Sequence, residues 1–290
     1  MERMSRYQRS TWRKAKDGIF RSMMILCAAL TCVALAFLII FIFIKGMPSI
    51  NWTFLSSARS YTKGTMGILP NILNTLYIIF ISLLFSVPLG IACAIYLNEY
   101  AVNQMIARSI GFALELLTGI PSIIFGLTGM FFFTMILGLK QGTLAGSLTL
   151  VLMILPTIIA NTLEALKRVP DSYREGALAL GSGKWHMIRS VVLPNSVRGI
   201  VSGCILASGR IIGESAALLF TAGFGIQLLG PIASLQSSSA TLTVALYLYA
   251  NEEGLFDVSF AIAVVLIVIS VIINVLFDLF TKRMAKKENC

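Results

Sequence analysis

At 290 residues, the chain is 57% hydrophobic and 12% charged, with a mean hydropathy of +0.86. This composition excludes a water-soluble domain of this size and predicts a protein with several membrane-spanning segments. The net charge of +10 does not indicate nucleic-acid binding, because the basic residues concentrate at the chain ends and in one internal loop, where membrane topology explains them. The five cysteines are scattered without a CxxC motif, so they predict neither a disulfide framework nor a zinc site.

The amino-terminal residues 1–21 contain seven Lys or Arg and are predicted to form a cytoplasmic basic arm. The apolar run 22–44 that follows corresponds to about 34 Å of helix, which spans a bilayer and is too long for the core of a signal peptide. The sequence predicts an all-α integral membrane protein with six transmembrane helices in a single domain over 22–290. The five later spans are predicted near 72–97, 111–137, 143–163, 199–221 and 258–281.

The distribution of Lys and Arg between the predicted loops indicates the orientation in the membrane. With a cytoplasmic amino terminus, 18 basic residues fall on the cytoplasmic side and 4 on the other. Since cytoplasmic loops carry the excess of Lys and Arg, both termini and the loop 164–198 are predicted to be cytoplasmic. On the opposite side, the long loop 222–257 is expected either to fold back as an outer helix or gate, or to be a flexible outer loop.

The polar loop 164–198 is predicted to form two short helices that meet at a glycine corner. Ser172 and Glu175 have the spacing of a capping box, which predicts the start of the first helix. Gly181 is suited to the left-handed conformation that follows a helix C-terminus. Pro194 is expected to end the second helix, because proline lacks a backbone N–H.

The same loop resembles the cytoplasmic coupling loop of ATP-binding-cassette (ABC) importer permeases, whose pattern is usually written EAA, then G, then LP. Gly176 stands where that family has alanine, which is expected to weaken the helix by about 1 kcal/mol. The alternative interpretation is an ordinary amphipathic turn at the membrane surface. The resemblance implies that the residues coupling to an ATPase are Glu175, Gly176, Ala177, Gly181, Leu193 and Pro194.

The segment from Gly181 to Lys184, GSGK, is similar to the end of a phosphate-binding P-loop but departs from it at two positions. Leu178 stands where that motif has its first glycine, and Trp185 follows the lysine where Mg²⁺ requires a Ser or Thr hydroxyl. The chain is therefore predicted to hold no cofactor and no ATP site of this type. His186 is the only histidine, which argues against histidine-based metal sites and a Ser-His-Asp triad.

The fifth predicted span contains two charged residues, and such residues inside a bilayer usually face a protein interior or a water-filled path. Arg210 and Glu214 lie about 16 and 22 Å from the start of the span at Gly199, well inside the hydrocarbon core. They are predicted to share one helical face that is otherwise made largely of small residues. Their spacing of four residues also permits a mutually neutralised ion pair with no further role.

The segment 210–223, RIIGESAALLFTAG, resembles the signature of the A-type membrane subunit of the bacterial phosphate-specific transport system, R-x-x-G-E-T-A-P-L-L-F-T-A-G. Ser215 and Ala217 replace threonine and proline, so the helix is expected to run straighter than in that family. The stretch 118–127, TGIPSIIFGL, resembles the same family's pattern G-x-P-S-I-x-x-G. The resemblance covers about 70–281.

This resemblance implies a type I ABC importer permease fold with cytoplasmic coupling helices, located in the bacterial inner membrane. It implies a pore subunit that is not itself an enzyme and has no nucleic-acid partner. The implied partners are a second permease subunit, two cytoplasmic ATP-binding subunits that hold ATP and Mg²⁺, and an external phosphate-binding protein.

The substrate pathway is predicted to involve Arg210, Glu214 and Glu115. The planar guanidinium of Arg210 would hold a tetrahedral oxyanion, and Glu214 would accept a hydrogen bond from a protonated phosphate oxygen. Glu115 is expected to line the cavity or to reach back toward Arg108. The alternatives are a permease for another oxyanion or solute, a secondary transporter coupled to protons through Glu214, and a membrane-embedded enzyme, which has little support because no nucleophile-base pair is apparent.

Overall fold

The computed structural model describes residues 2–60, 65–101, 103–227 and 235–288. The first helix, α1 (Glu2–Gly46), joins the basic amino terminus and the first span in one continuous element. It packs closely against the last long helix of the chain. The approach is so close at Gly46 that a Cβ there would lie only 2.5 Å from the carbonyl oxygen of Phe260. None of the most apolar stretch of α1 is buried.

A small outer substructure follows α1. It contains a 3₁₀ turn (Met47–Ser49), helix α2 (Trp52–Ser56) and an antiparallel hairpin of strands β1 (Ala58–Ser60) and β2 (Thr65–Ile68). The hairpin leads directly into helix α3 (Leu69–Ile95), which ends in a π-helical extension, Tyr96–Tyr100. The predicted second span, 72–97, is thereby confirmed.

The predicted third span, 111–137, is not one straight helix. Helix α4 (Gln104–Gly119) and helix α5 (Ser122–Gly129), which continues as a π-helical segment (Met130–Ile136), are bent against each other by 101°. The bend occurs at Ile120 and Pro121, whose ψ angles of 130° and 138° are extended. Proline disfavours helical angles at the residue before it and supplies no N–H to the helix, and these two effects favour a division of the span here.

Helix α6 (Thr143–Lys167) forms the centre of the fold, since 67% of its most apolar stretch is buried. It packs between α3 and helix α9 (Leu193–Gly213). Glycines allow this close approach: a Cβ on Gly199 would lie 2.4 Å from the Cβ of Ala165, and one on Gly203 would lie 2.9 Å from the Cβ of Asn161. Gly199 and Gly203 therefore form the face of α9 that packs against α6.

The loop between α6 and α9 contains helix α7 (Asp171–Ala179), helix α8 (Lys184–Met187) and a π-helical segment (Ile188–Val192). The predicted capping box is wrong, because α7 begins at Asp171 and Ser172 already lies inside its first turn, where no side chain caps the helix. The predicted end at Pro194 is also wrong.

The chain instead runs as one helical segment from α8 into α9, with Pro194 in the first turn of α9. The wider π-helical turn precedes the proline, and two side chains beyond it add hydrogen bonds to the carbonyls of this turn. Asn195 Nδ2 donates to the carbonyl of Val191 at 2.6 Å, and Ser196 Oγ donates to that of Val192 at 2.7 Å. The proline is accommodated next to this π-helical turn without ending the helix.

The predicted fifth span, 199–221, breaks after α9, and helix α10 (Ala216–Thr221) follows as a separate element. Within 222–257, helix α11 (Leu242–Tyr247) and its π-helical extension (Leu248–Glu252) fold back into the protein. Helix α11 is tied to α3, since Leu242 N donates to Thr75 Oγ1 at 2.9 Å. In the described part of this loop the structure thus shows a folded helix, which is one of the two expectations; residues 228–234 lie outside the described residues, and a gating role stays a prediction.

The last helix, α12 (Phe256–Glu288), confirms the predicted sixth span and contacts α1, α9 and α11. In the described part of the chain, five helices are long and apolar enough to cross a membrane, and the bent pair α4 and α5 supplies a sixth crossing if it counts as one span.

Candidate functional site

The break between α9 and α10 lies at Glu214, whose φ and ψ of −83° and 122° are extended. Its carboxylate Oε1 accepts a hydrogen bond from Ala217 N at 3.0 Å and so satisfies a free N–H at the start of α10. Its backbone carbonyl accepts from Thr243 Oγ1 of α11 at 2.8 Å. Glu214 is buried, with only 8% of its surface exposed, and these two hydrogen bonds hold it against α10 and α11.

The expectation of a straighter helix is therefore wrong. Replacing the family proline by Ala217 does not keep the span continuous, because the Glu214 side chain and Thr243 compete for the backbone groups that an unbroken helix would use.

Arg210 lies half-buried in the last turn of α9, where the negative end of the helix dipole favours a cation. The described residues supply no ion-pair partner for its guanidinium within 4 Å, Glu214 included. The interpretation as a mutually neutralised pair on one helix face is thus not what the structure shows. The arrangement leaves the paired N–H donors of Arg210 able to bind an anion.

One side of α9 is open along its whole length. The predicted small-residue face divides into two, because Gly199 and Gly203 pack against α6, whereas a Cβ on Gly209 or Gly213 would meet no atom within 4 Å. The open side covers an arc of about 80°, with Arg210 at its border. We call this side the open stripe; its exposed residues are Asn195, Arg198, Ser202, Leu206, Gly209 and Gly213.

Glu115 is exposed on α4, and its carbonyl accepts a hydrogen bond from Thr118 Oγ1 at 2.7 Å. The structure does not bring its carboxylate into an ion pair with Arg108 or Arg210 among the described residues. The carboxyl-terminal half of α4 packs through Leu117 against the cluster that contains Ile211 and Ile212 of α9. The place of Glu115 in the substrate pathway stays a prediction.

The residues that resemble an ATPase-coupling loop form a protruding corner, 171–187, which we call the coupling knob. Gly181 has a φ of +82°, and the hydrogen bonds from Gly181 N to Leu178 O (2.9 Å) and from Ser182 N to Ala177 O (3.1 Å) close the end of α7. The predicted left-handed glycine is confirmed, and it aims the two short helices in different directions.

The surface of the coupling knob is apolar for an exposed corner. Leu180 is 91% exposed, and Leu178, Tyr173 and Trp185 are exposed as well. Ala177 points inward and packs, like Leu193, against a buried cluster that includes Ile188 and Val192. Glu175 and Gly176 are exposed, and a Cβ on Gly176 would meet no atom within 4 Å, so alanine would fit there.

Arg174 was not identified from the sequence, yet it attaches the coupling knob to the spans. Its guanidinium donates to the carbonyls of Leu166 (2.8 Å) and Val169 (2.7 Å) at the end of α6, and to Glu99 Oε1 (3.2 Å) in the extension of α3. A fourth hydrogen bond goes to Asp171 Oδ1 (2.9 Å). The side chains of Arg174 and Glu99 are only 14% and 6% exposed. Because Glu99 is distant in the sequence, no local pattern indicates this pair.

Lys184, the lysine of the P-loop-like segment, has its Nζ 4.8 Å from the ring centroid of Tyr100 at the end of the α3 extension. This cation–π contact gives the residue a packing role between the coupling knob and α3. His186 is exposed on the same corner.

At the opposite end of the molecule, Arg59 of β1 forms two hydrogen bonds, of 2.6 and 2.8 Å, to the carboxylate of Glu253. Its guanidinium also lies 5.0 Å from the ring centroid of Tyr249. The hydrogen bond to Glu253 is the main reason that the pKa of Arg59 is raised above its ordinary value. This pair joins the hairpin to the segment that follows α11.

Comparison with known proteins identifies relatives along most of the chain. The family model described as "Binding-protein-dependent transport system inner membrane component" matches residues 86–286. The chain is 36% identical over 211 residues to the probable ABC transporter permease protein YqgI of Bacillus subtilis, which covers 73% of this chain and 72% of that protein. It is 35% identical over 225 residues to the phosphate transport system permease protein PstA of Yersinia pestis, with coverage of 75% and 74%.

Solved structures of ABC transporters share the fold. A bacterial alginate ABC transporter matches with a TM-score of 0.69 and 16% identity, over 93% of this chain and 96% of that chain. The MetNI methionine ABC transporter matches with a TM-score of 0.60 and 20% identity, over 75% and 94%. The chain therefore has the predicted type I ABC importer permease fold.

Proposed function

The chain belongs to the family of binding-protein-dependent transport system inner membrane components and is a permease subunit of an ABC importer, and from this premise we propose that it carries inorganic phosphate into the cytoplasm. The observation that carries the choice of substrate is Arg210, a guanidinium without an ion-pair partner among the described residues, at the border of the open stripe. Relatives named phosphate transport system permease proteins support the same choice.

Arg210 binds the substrate as a tetrahedral oxyanion through paired N–H donors. Glu214 lies at the end of the same helix and accepts a hydrogen bond from a protonated phosphate oxygen. Sulfate carries no proton at neutral pH, so an acceptor at this position favours phosphate over sulfate. The hydrogen bond from Ala217 N to Glu214 Oε1 holds the carboxylate in place, which avoids the cost of ordering it when substrate arrives.

The complete importer contains a second permease subunit, ATP-binding subunits and a substrate-binding protein, as the fold implies. The open stripe of α9 faces the pore between the two permeases. Both termini and the coupling knob lie on the cytoplasmic side of the bacterial inner membrane, where two ATPase subunits hold ATP and Mg²⁺ and hydrolyse it. The exposed Leu178, Leu180 and Trp185 enter a groove of the ATPase. An external phosphate-binding protein delivers the ion to the opposite side.

Uptake of labelled phosphate by the complete importer in proteoliposomes tests the site. Arg210→Lys keeps the charge but loses the paired donors, and Glu214→Gln removes the charge but keeps an oxygen that can accept from Ala217 N. We expect at least a tenfold loss of uptake in each variant, which corresponds to one charged hydrogen bond. Arg189→Lys, at an exposed position outside the site, is the control. Near-normal uptake in both site variants would reject Arg210 and Glu214 as the binding residues.

A second candidate is a permease for another solute. The relative YqgI carries no substrate in its name, and the structural neighbours transport alginate and methionine according to theirs. Competition by unlabelled sulfate, alginate oligosaccharide or methionine in the same uptake assay separates the two functions. A proton-coupled secondary transporter is disfavoured by family membership, and uptake that requires ATP without a proton gradient would exclude it.

A further inference from the structure

A cavity of about 320 Å³ lies between the knob-side ends of α6 and α9, well away from Arg210 along the helix. Its position places it beside the coupling knob, at the cytoplasmic mouth of the proposed path. The charged and amide residues in its lining are Asn161, Glu164, Arg168, Asn195 and Arg198, and its hydroxyl residues are Ser196 and Ser202.

The two arginines of this cavity have different surroundings. Arg168 donates to the carboxylate of Glu164, so its charge is already compensated. Arg198 is exposed, and the described residues supply no ion-pair partner for it within 4 Å. The cavity therefore carries one uncompensated positive charge.

Neutral hydrogen-bond donors accompany that charge. Asn195 uses one amide N–H for the carbonyl of Val191, at 2.6 Å, which leaves its second N–H. Asn161 likewise uses one N–H for the carbonyl of Thr157, at 2.8 Å. The exposed hydroxyl of Ser202 lies one turn from Arg198 on the same side of α9. A guanidinium together with hydroxyl and amide donors is suited to an oxyanion.

The cavity and Arg210 are connected along α9. Arg198 precedes Arg210 by twelve residues, which is about 18 Å of helix. Between them, the open stripe presents Ser202, Leu206 and Gly209, and a Cβ on Gly209 would meet no atom within 4 Å. The two uncompensated arginines thus lie near opposite ends of α9, with Arg198 at one edge of the open stripe and Arg210 beside the other edge, about 120° apart around the helix axis.

We propose that this cavity is a second oxyanion site, which receives phosphate from Arg210 and releases it to the cytoplasm. The inference rests on the proposed function. Arg198 attracts the ion toward the cytoplasmic mouth, and Ser202 and the two asparagines donate to its oxygens. The Glu164 carboxylate repels the ion and occupies Arg168, so binding stays weak enough for release. The phosphate group of an anionic lipid has the same chemistry, and the test below distinguishes the two sources.

The test is phosphate uptake into proteoliposomes that contain the complete importer and a graded internal concentration of inorganic phosphate. Internal phosphate occupies the inner site and slows uptake. We expect Arg198→Gln to raise the internal concentration for half-inhibition by about tenfold, while the KM for external loaded binding protein stays unchanged. Arg198→Lys, which keeps the charge, should shift it less. Arg189→Gln removes an exposed arginine of the same loop outside the cavity and should behave as wild type.

The proposal is overturned if internal phosphate does not inhibit the wild type, or if it inhibits Arg198→Gln and Arg189→Gln identically. A lipid site is recognised by repeating the assay in phosphatidylcholine alone and with phosphatidylglycerol added. If the Arg198→Gln effect requires phosphatidylglycerol, the cavity binds lipid headgroups and the proposal is wrong. A wild type that takes up no phosphate rejects the proposed function and this site together, whereas loss of uptake in Arg210→Lys with unaltered Arg198→Gln rejects this site alone.

Discussion

Arg174 is predicted to transmit the movement of the coupling knob to the membrane spans. Its guanidinium binds the last carbonyls of α6 and Glu99 beside α3, so one side chain joins the knob to two central helices. Replacing it by glutamine removes the charge and most of these hydrogen bonds. The knob then keeps its local fold through the Gly181 corner but loses its attachment to Glu99.

The size of the effect follows from burial. Removing one partner of a buried ion pair costs about 3 to 5 kcal/mol, because the other charge stays buried and unpaired. Glu99 keeps the hydrogen bond from Asn98 Nδ2 at 2.8 Å, which puts Arg174→Gln near the lower limit, at about 3 kcal/mol. Arg168→Gln breaks a pair whose side chains are 76% and 63% exposed, and it should cost at most about 1 kcal/mol.

The assay compares thermal stability of the purified importer and the phosphate transported per ATP hydrolysed. Arg174→Gln should lower both, whereas Arg168→Gln serves as the control for thermal stability alone and should leave it nearly unchanged. Glu99→Gln combined with Arg174→Gln should recover part of the stability, because no buried charge remains unpaired. A buried ion pair between Arg174 and Glu99 is refuted if Arg174→Gln lowers thermal stability no more than Arg168→Gln does. It is also refuted if the loss of stability in the double variant equals the sum of the losses in Arg174→Gln and Glu99→Gln.

Two further predictions follow from the glycines. Gly181→Leu forces a side chain into a left-handed conformation at the coupling knob and should abolish copurification of the ATPase. Gly176→Ala has room for its Cβ and should still copurify with the ATPase. Equal copurification of both variants would contradict this prediction. The leucine side chain of Gly209→Leu enters open space on α9, so the complex should fold but lose at least tenfold in uptake. The side chain of Gly199→Leu instead collides with Ala165 and should destabilise the complex by more than about 2 kcal/mol, as measured by thermal unfolding. Normal uptake by Gly209→Leu would exclude the open stripe from the pore.

The sequence was sufficient for features that depend on local chemistry. Long apolar runs locate the spans, and Gly181 of the coupling knob is predictable because a left-handed conformation is favourable chiefly for glycine. Proline at position 121 indicates the extended backbone found there, but the apolar residues on both sides predict one continuous span.

Other features depend on contacts between distant parts of the chain. The break at Glu214 is stabilised by the hydroxyl of Thr243, and Arg174 finds its carboxylate partner in Glu99. Neither partner can be identified without the fold. The helix end predicted at Pro194 is wrong because a π-helical turn precedes the proline and provides an alternative to ending the helix.

The most direct test of the account is the ATPase activity of the reconstituted importer with external binding protein, either phosphate-loaded or phosphate-free, together with uptake of labelled phosphate. The account predicts that phosphate-loaded binding protein stimulates ATP hydrolysis and drives uptake, and that Arg210→Lys loses uptake. Equal ATP hydrolysis with both forms and no accumulation of phosphate would contradict it.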